Sequence, residues 1–355
     1  MATTAIDEQK LEAFMGRFVG DMSAAMTMPL VRLGERLGLY RAMAQAGPLT
    51  SQEIAQRSGV RERYVREWLA NQTASGYVEH DPATDRYTLP DEHAMALADE
   101  DGPAYMLGAL AIMASVWADE DRIAERMERG EGFGWHEHDP RLFAGTERFF
   151  RPGYQAHLVA EWLPALDGVV EKLTKGATVA DIGCGHGAST IIMARAFPQS
   201  RFAGFDYHDG SIARARELAQ DAGVGDRIDF AVASADAYPG EGYDLVCHFD
   251  CLHDMGDPAG AARHVRETLA PDGTWMIVEP YAGDTLESNL NPVGRLFYAA
   301  STVLCTPASL SQDVALGLGA QAGPARLAAI MRDAGFSRVR IATQTPFNLI
   351  FEARP

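Results

Sequence analysis

Val179-Ala180-Asp181-Ile182-Gly183-Cys184-Gly185-His186-Gly187-Ala188-Ser189-Thr190 runs from an apolar strand into an acid, then three glycines at alternate positions, then the start of a helix. Glycine at 183, 185 and 187 frees the backbone to turn through positive φ and puts no side chain between the main chain and a ligand. Gly183, Gly185 and Ala188 also satisfy the dinucleotide pattern G-x-G-x-x-A. A pyrophosphate, however, would be repelled by the Asp181 carboxylate two residues before the first glycine. The same carboxylate suits a ligand with a cationic end.

The chain beyond the loop repeats the theme of a strand ending in an acid. Arg201–Asp206 reads as a second strand whose Asp206, 25 residues after Asp181, is placed to grip a ribose diol with two hydrogen bonds. A third strand over 228–233 is followed by Ser234-Ala235-Asp236, a fourth covers Tyr243–Phe249, and a fifth covers 273–279 and ends in Glu279. Helical stretches at 211–222 and 258–269 lie between them. Strands alternating with helices at this spacing predict a parallel sheet with its ligand at the carboxyl ends of the strands.

This ordered set, over residues 177–279, resembles the class I S-adenosylmethionine-dependent methyltransferases. The resemblance implies a Rossmann-like α/β domain with a mostly parallel seven-stranded sheet and S-adenosylmethionine as cofactor. It implies that the loop Gly183, Cys184, Gly185 and Gly187 with Asp181 holds the methionine part, Asp206 the ribose hydroxyls and Asp236 the adenine amino group. Tyr207, Ala235 and Asp250 complete the expected cofactor set.

At 355 residues, with 47% hydrophobic and 23% charged side chains, the chain can bury a full core and has the length of two domains. Its net charge of −18 argues against a polyanionic partner, nucleic acid or an anionic membrane. Four cysteines, at 184, 247, 251 and 305, have neither C-x-x-C spacing nor scaffold density, so a reducing cytoplasm is expected and zinc held by cysteine is not. Residues 1–12 carry Asp7, Glu8 and Glu12 without a basic run before an apolar core, and read as no leader. The apolar stretch 103–118 is too short to cross a bilayer and reads as a buried or interface helix.

Residues 1–150 read as a mainly helical N-terminal domain, with the methyltransferase domain over 151–355. Apolar Leu30, Leu33, Leu37, Tyr40 and Ala44 make a helical stripe over 29–46. Thr50-Ser51-Gln52-Glu53 is a capping box opening a helix closed by Gly59, and a third helix over 61–75 turns Tyr64, Trp68 and Leu69 inward. Residues 77–79 and 86–89 flank the turn 81–85 as a two-stranded wing. A winged helix suggests a DNA-binding regulator, and charge decides against it. Between 48 and 90 there are five arginines and no lysine against six acids, whereas phosphate binding needs a basic surplus. Over most of the chain the arrangement is similar to small-molecule O-methyltransferases of the plant type and their bacterial winged-helix relatives, in which this domain dimerises and covers the site. That likeness implies a homodimer acting on a small-molecule acceptor.

Two stretches are candidate substrate walls. Residues 131–160 offer Trp135, His136, Phe150 and Tyr154, although aromatics at that density also build interdomain cores. The insertion over 280–322 is longer than an ordinary connection and offers Asn291, Phe297 and Tyr298.

Methyl transfer needs an aligned nucleophile and, for a hydroxyl, a base. After the fourth strand comes Phe249-Asp250-Cys251-Leu252-His253-Asp254-Met255. In plant-type O-methyltransferases a His-Asp pair in the matching place supplies the base, backed by an acid ending strand five. The resemblance therefore assigns His253, Asp254 and Glu279, although tryptophan usually follows His-Asp where this chain has Met255. The other reading of His253 is a cap for the helix near Pro258. His248 reads as a core residue and His186 as a neighbour of the cofactor. Metal-assisted chemistry, with His253 beside His136, His138 or His157, or base-free transfer to carbon, nitrogen or sulfur, is the alternative. No ligand spacing supports a metal.

Overall fold

The computed structural model describes residues 6–355. The chain divides into two compact units, residues 1–111 and 112–355. Residues 112–150 go with the second unit because their contacts lie there: the Phe133 N–H donates to the Pro307 carbonyl at 2.8 Å, and Trp135 reaches Asp254. Residues 1–5, part of the stretch read as lacking a leader, lie outside the described residues. Among the described residues no helix is long and apolar enough to cross a membrane.

The first unit begins with α1 (Glu8–Arg36), capped by the Asp7 carboxylate, followed by α2 (Leu39–Met43), α3 (Ser51–Ser58) and α4 (Glu62–Ala74). The single helix expected over 29–46 is two. Gly38, at φ +69°, ends one and starts the other, and α1 extends far upstream of the stripe. The Thr50/Glu53 capping box forms as the spacing predicts, and Gly59 closes α3 in the left-handed conformation. Trp68 and Leu69 of α4 are buried, but Tyr64 is 71% exposed. With Leu30, Leu33, Leu37, Val60 and Trp68 it lines a surface groove of about 300 Å³ instead of filling the core. The wing forms as β1 (Glu79–Asp81) and β2 (Arg86–Thr88), antiparallel, and α5 (Asp91–Leu97) follows. The break between the units falls within α6 (Gly108–Ala118).

The second unit continues with α7 (Glu120–Arg129) and α8 (Arg141–His157), then a seven-stranded sheet. Its strands are β3 (Thr178–Ile182), β4 (Arg201–Asp206), β5 (Ile228–Val232), β6 (Tyr243–Phe249), β7 (Leu269–Pro280), β8 (Arg338–Gln344) and β9 (Asn348–Arg354). Their order is β5-β4-β3-β6-β7-β9-β8, with β9 antiparallel to both neighbours and all other pairs parallel. Alternation along the strands feeds two cores, as a sheet covered on both faces requires. Val179, Leu245, Cys247, Met276 and Val278 point to one, while Ala180, Ile182, Val246, Trp275 and Ile277 point to the other. The first four of these strands match the expected positions closely, and the fifth, β7, starts four residues before the expected 273. Residues 281–322 form an insertion with helices Pro292–Ala300 and Thr306–Leu310.

Candidate active site

Parallel strands β3 to β7 deliver their acids to one sheet edge. Gly183 and Gly187 sit at φ +69° and +76°, and a side chain on Gly187 would meet the Phe230 ring at 2.6 Å. The N–H groups of Gly183 and Cys184 both donate to the Phe205 carbonyl at 2.8 and 3.0 Å, which fastens the loop to β4. Gly185, at φ +53°, has nothing within 4 Å of where a Cβ would project. The loop thus presents bare backbone at that point.

Asp181 is wholly buried. Its Oδ2 accepts from Ser189 Oγ and Thr190 Oγ1, each at 2.6 Å, while its Oδ1 has no hydrogen-bond partner. Burial pushes its carboxyl up to about 6 against the two hydroxyl donors. Asp206 accepts from the Gly185 N–H and the His208 N–H, both at 2.9 Å, so it ties the loop down. Burial also raises its carboxyl. Tyr207 is half exposed beside His136, with ring centres 6.1 Å apart. Ala235 and Asp236 lie in the turn after β5, where Ser234 Oγ donates to exposed Asp236 at 2.6 Å. A deep unpaired carboxylate oxygen, bare loop backbone and acids on successive strand ends fit a nucleoside bearing a cationic amino-acid tail.

Asp250 takes φ +51°, and its N–H donates to the Val278 carbonyl at 2.8 Å. One oxygen accepts from Tyr154 at 3.0 Å and the other from Asn348 at 2.8 Å. Burial and the nearby Glu279 push its carboxyl up to about 7.

His253, buried in a 3-10 turn at Leu252–Asp254, is clamped from two sides. Its Nδ1–H donates to Glu279 Oε2 at 2.6 Å, and Glu279 Oε1 accepts from the Leu252 N–H at 3.1 Å. Its Nε2 lies 3.1 Å from Asp254 Oδ1, which makes no hydrogen bond. Burial alone would lower the imidazole's affinity for a proton. The carboxylates of Glu279 and Asp254 outweigh it and hold the group well above the ordinary histidine range. The helix-cap reading fails, because the Asp257 carboxylate caps the helix Pro258–Thr268. His248 is the core residue expected: it accepts from Trp275 Nε1 at 3.0 Å, and burial holds it down to about 3.

The expected walls separate into several roles. Trp135 Nε1 donates to Asp254 Oδ2 at 2.9 Å, bringing the 131–160 stretch to the His253–Asp254 turn. Phe297 is buried with Leu142, Leu304 and Cys305, against which Trp135 packs. Phe150 stacks on Tyr154, whose hydroxyl is committed to Asp250. His136 is exposed. Asn291 caps the helix Pro292–Ala300, its Oδ1 accepting from the Gly294 N–H at 2.9 Å. Tyr298 meets Asn289, the clamp on Gly283. The sequence reading missed Asn348 and Cys305, which come from distant segments without a local signal. It also gave no role to Ser189 and Thr190, although both sit in the first turn after the loop.

Residues 24–99 match the Rv2258c-like winged HTH domain family, and residues 173–314 match a methyltransferase domain family. A trans-aconitate 2-methyltransferase of Streptomyces coelicolor is 33% identical over 103 residues, covering 29% of this chain and 34% of its own. The chain thus spans about a third of the length of that curated relative. A putative O-methyltransferase from Nostoc punctiforme superposes with a TM-score of 0.72 at 20% identity, over 96% of this chain and 98% of its own. The neocarzinostatin O-methyltransferase NcsB1, solved with S-adenosyl-L-homocysteine and 1,4-dihydroxy-2-naphthoic acid, superposes at 0.62 and 19% identity, over 95% and 98%. At such identities the likeness is one of fold.

Proposed function

We propose that this chain, a winged helix-turn-helix domain joined to a methyltransferase domain, transfers the methyl group of S-adenosylmethionine to a hydroxyl of a small molecule, with His253 as the base. The sulfonium supplies an already activated methyl group. The observation that carries the reading is the buried His253–Glu279 pair at the sheet edge. Glu279 orients the ring through Nδ1, and Nε2, once it has given up the proton that the two carboxylates favour, receives the acceptor's proton. Asp254, held by Trp135, stabilises the imidazolium so formed. Asp181, the glycine loop, Asp206, Tyr207, Ala235 and Asp236 hold the cofactor, and Asp250 with Tyr154 borders it.

The pairing of Arg63, Arg66 and Arg86 with Glu67, Glu62 and Glu53 supports a winged helix that does not bind nucleic acid. A homodimer is supported by the exposed apolar side chains of Leu11, Phe14, Phe18 and Met22 along α1, and a reducing cytoplasm by four free cysteines.

His253→Ala tests the base. S-adenosylmethionine affinity by calorimetry should stay within about twofold while turnover falls by about 10²–10⁴, the range for one positioned base. Turnover near the wild-type level would overturn the base and leave methyl transfer standing.

A further inference from the structure

We propose that His253 Nε2, Asp254 Oδ1 and Cys305 Sγ form a binding site for one divalent transition-metal ion of the zinc class. The three ligand atoms lie within 4.8 Å of one another, and all three residues are buried. The nitrogen–oxygen separation is 3.1 Å. That is close to the edge of a tetrahedron with bonds of about 2.0 Å.

The surroundings are those of a prepared site rather than of a chance cluster. Ligating imidazoles donate their second nitrogen to a carboxylate, and His253 Nδ1–H does so to Glu279. Ligating carboxylates are themselves hydrogen-bonded, and Trp135 Nε1 engages Asp254 Oδ2, the oxygen away from the cluster. The remaining oxygen, Oδ1, is buried, makes no hydrogen bond among the described residues and faces His253 Nε2 at 3.1 Å, so it is open to an ion. Cys305 is carried in by the π turn Ser301–Cys305, the only sulfur of the set, from 51 residues beyond Asp254. One nitrogen, one oxygen and one sulfur at this spacing select zinc over magnesium or calcium, which take oxygen ligands in larger shells. The charges also close: a divalent ion with a thiolate, a carboxylate and a neutral imidazole is neutral, which a buried site favours.

Binding releases the thiol proton of Cys305, and any proton on Nε2, to solvent. The ion then occupies the nitrogen lone pair that a base requires. If the proposed function holds, metal occupancy and base catalysis exclude one another at His253. The site itself does not depend on that reading.

The full-length chain, stripped with chelator, is titrated with Co²⁺ in the absence of cofactor and acceptor. Expected are a thiolate-to-cobalt charge-transfer band in the near ultraviolet, tetrahedral visible bands, and one ion per chain by native mass spectrometry. Cys305→Ser should lose the charge-transfer band. Trp135→Phe, which keeps all three ligands, should bind about 10- to 100-fold more weakly. No band and no added mass in the wild type, or a band that survives in folded Cys305→Ser, would overturn the site. Neither result bears on whether His253→Ala retains turnover, so the two readings fail separately.

Discussion

Asp181 shows what a single buried carboxyl does to a binding equilibrium. In the free protein, burial lifts it to about 6. A ligand with a cationic end prefers the ionised form, so binding must expel the proton wherever the free group holds one. Affinity for S-adenosylmethionine is therefore full above that value and falls as pH drops through it, by about tenfold between pH 7.5 and pH 5. Calorimetry at three pH values checks this, and a flat profile would remove Asp181 from the cation's surroundings. Without ligand the sign is reversed for folding: a raised carboxyl contributes most stability at low pH and loses it as pH rises through about 6. The places of Asp181, Asp206, Asp236, His253, Asp254 and Glu279 in the fold were legible because each lies in or just after an apolar strand at a readable distance. Asn291 before Pro292 is legible as a helix cap as well. Tyr64 was misjudged because helical spacing identifies a face without saying whether another element covers it.

At the scale of elements, glycine sets how closely helices approach. A Cβ on Gly34 of α1 would stand 2.6 Å from the Trp68 ring and 2.8 Å from Tyr40. Both rings are locked, Tyr40 by its hydroxyl on Gln72 and Trp68 by its Nε1 on the Leu30 carbonyl. Gly34→Ala gains helix propensity but overpacks this contact, with a net loss of about 1–3 kcal/mol by denaturant unfolding. An unchanged midpoint would mean that the rings yield. The capping box of α3 and strands β3 to β6 were legible from local chemistry. Residues 8–28 of α1, almost six turns, have no counterpart in the sequence reading, because the apolar side chains there face solvent and meet no core. Strands β8 and β9 had no individual signal either, since what defines them is a register such as Trp275 opposite Ala353, set by residues far apart in sequence.

On the whole molecule, Leu11, Phe14, Met15, Phe18, Val19, Met22 and Met26 run along one face of α1, each at least 45% exposed. An apolar stripe of that length is what a second copy would cover. Sedimentation of the wild type as a dimer is expected, with the double variant Phe14→Glu, Phe18→Glu running as a folded monomer. A wild-type monomer at micromolar concentration would refute it. The division of the chain inside α6 leaves no signal in the sequence, because an apolar helix reads the same whichever neighbour it serves.

The strand order carries a cost in biosynthesis. Strand β9, built from residues 348–354, lies between β7 and β8 and not at the rim. Until it is inserted, β7 offers an open ladder edge flanked by Trp275, Met276, Ile277 and Val278, a template for wrong partners. Any product ending before Asn348 keeps that edge and also frees Asp250 from one of its two holders. A nascent chain therefore remains prone to aggregation, and without an assembled pocket, until nearly all of these residues have been made.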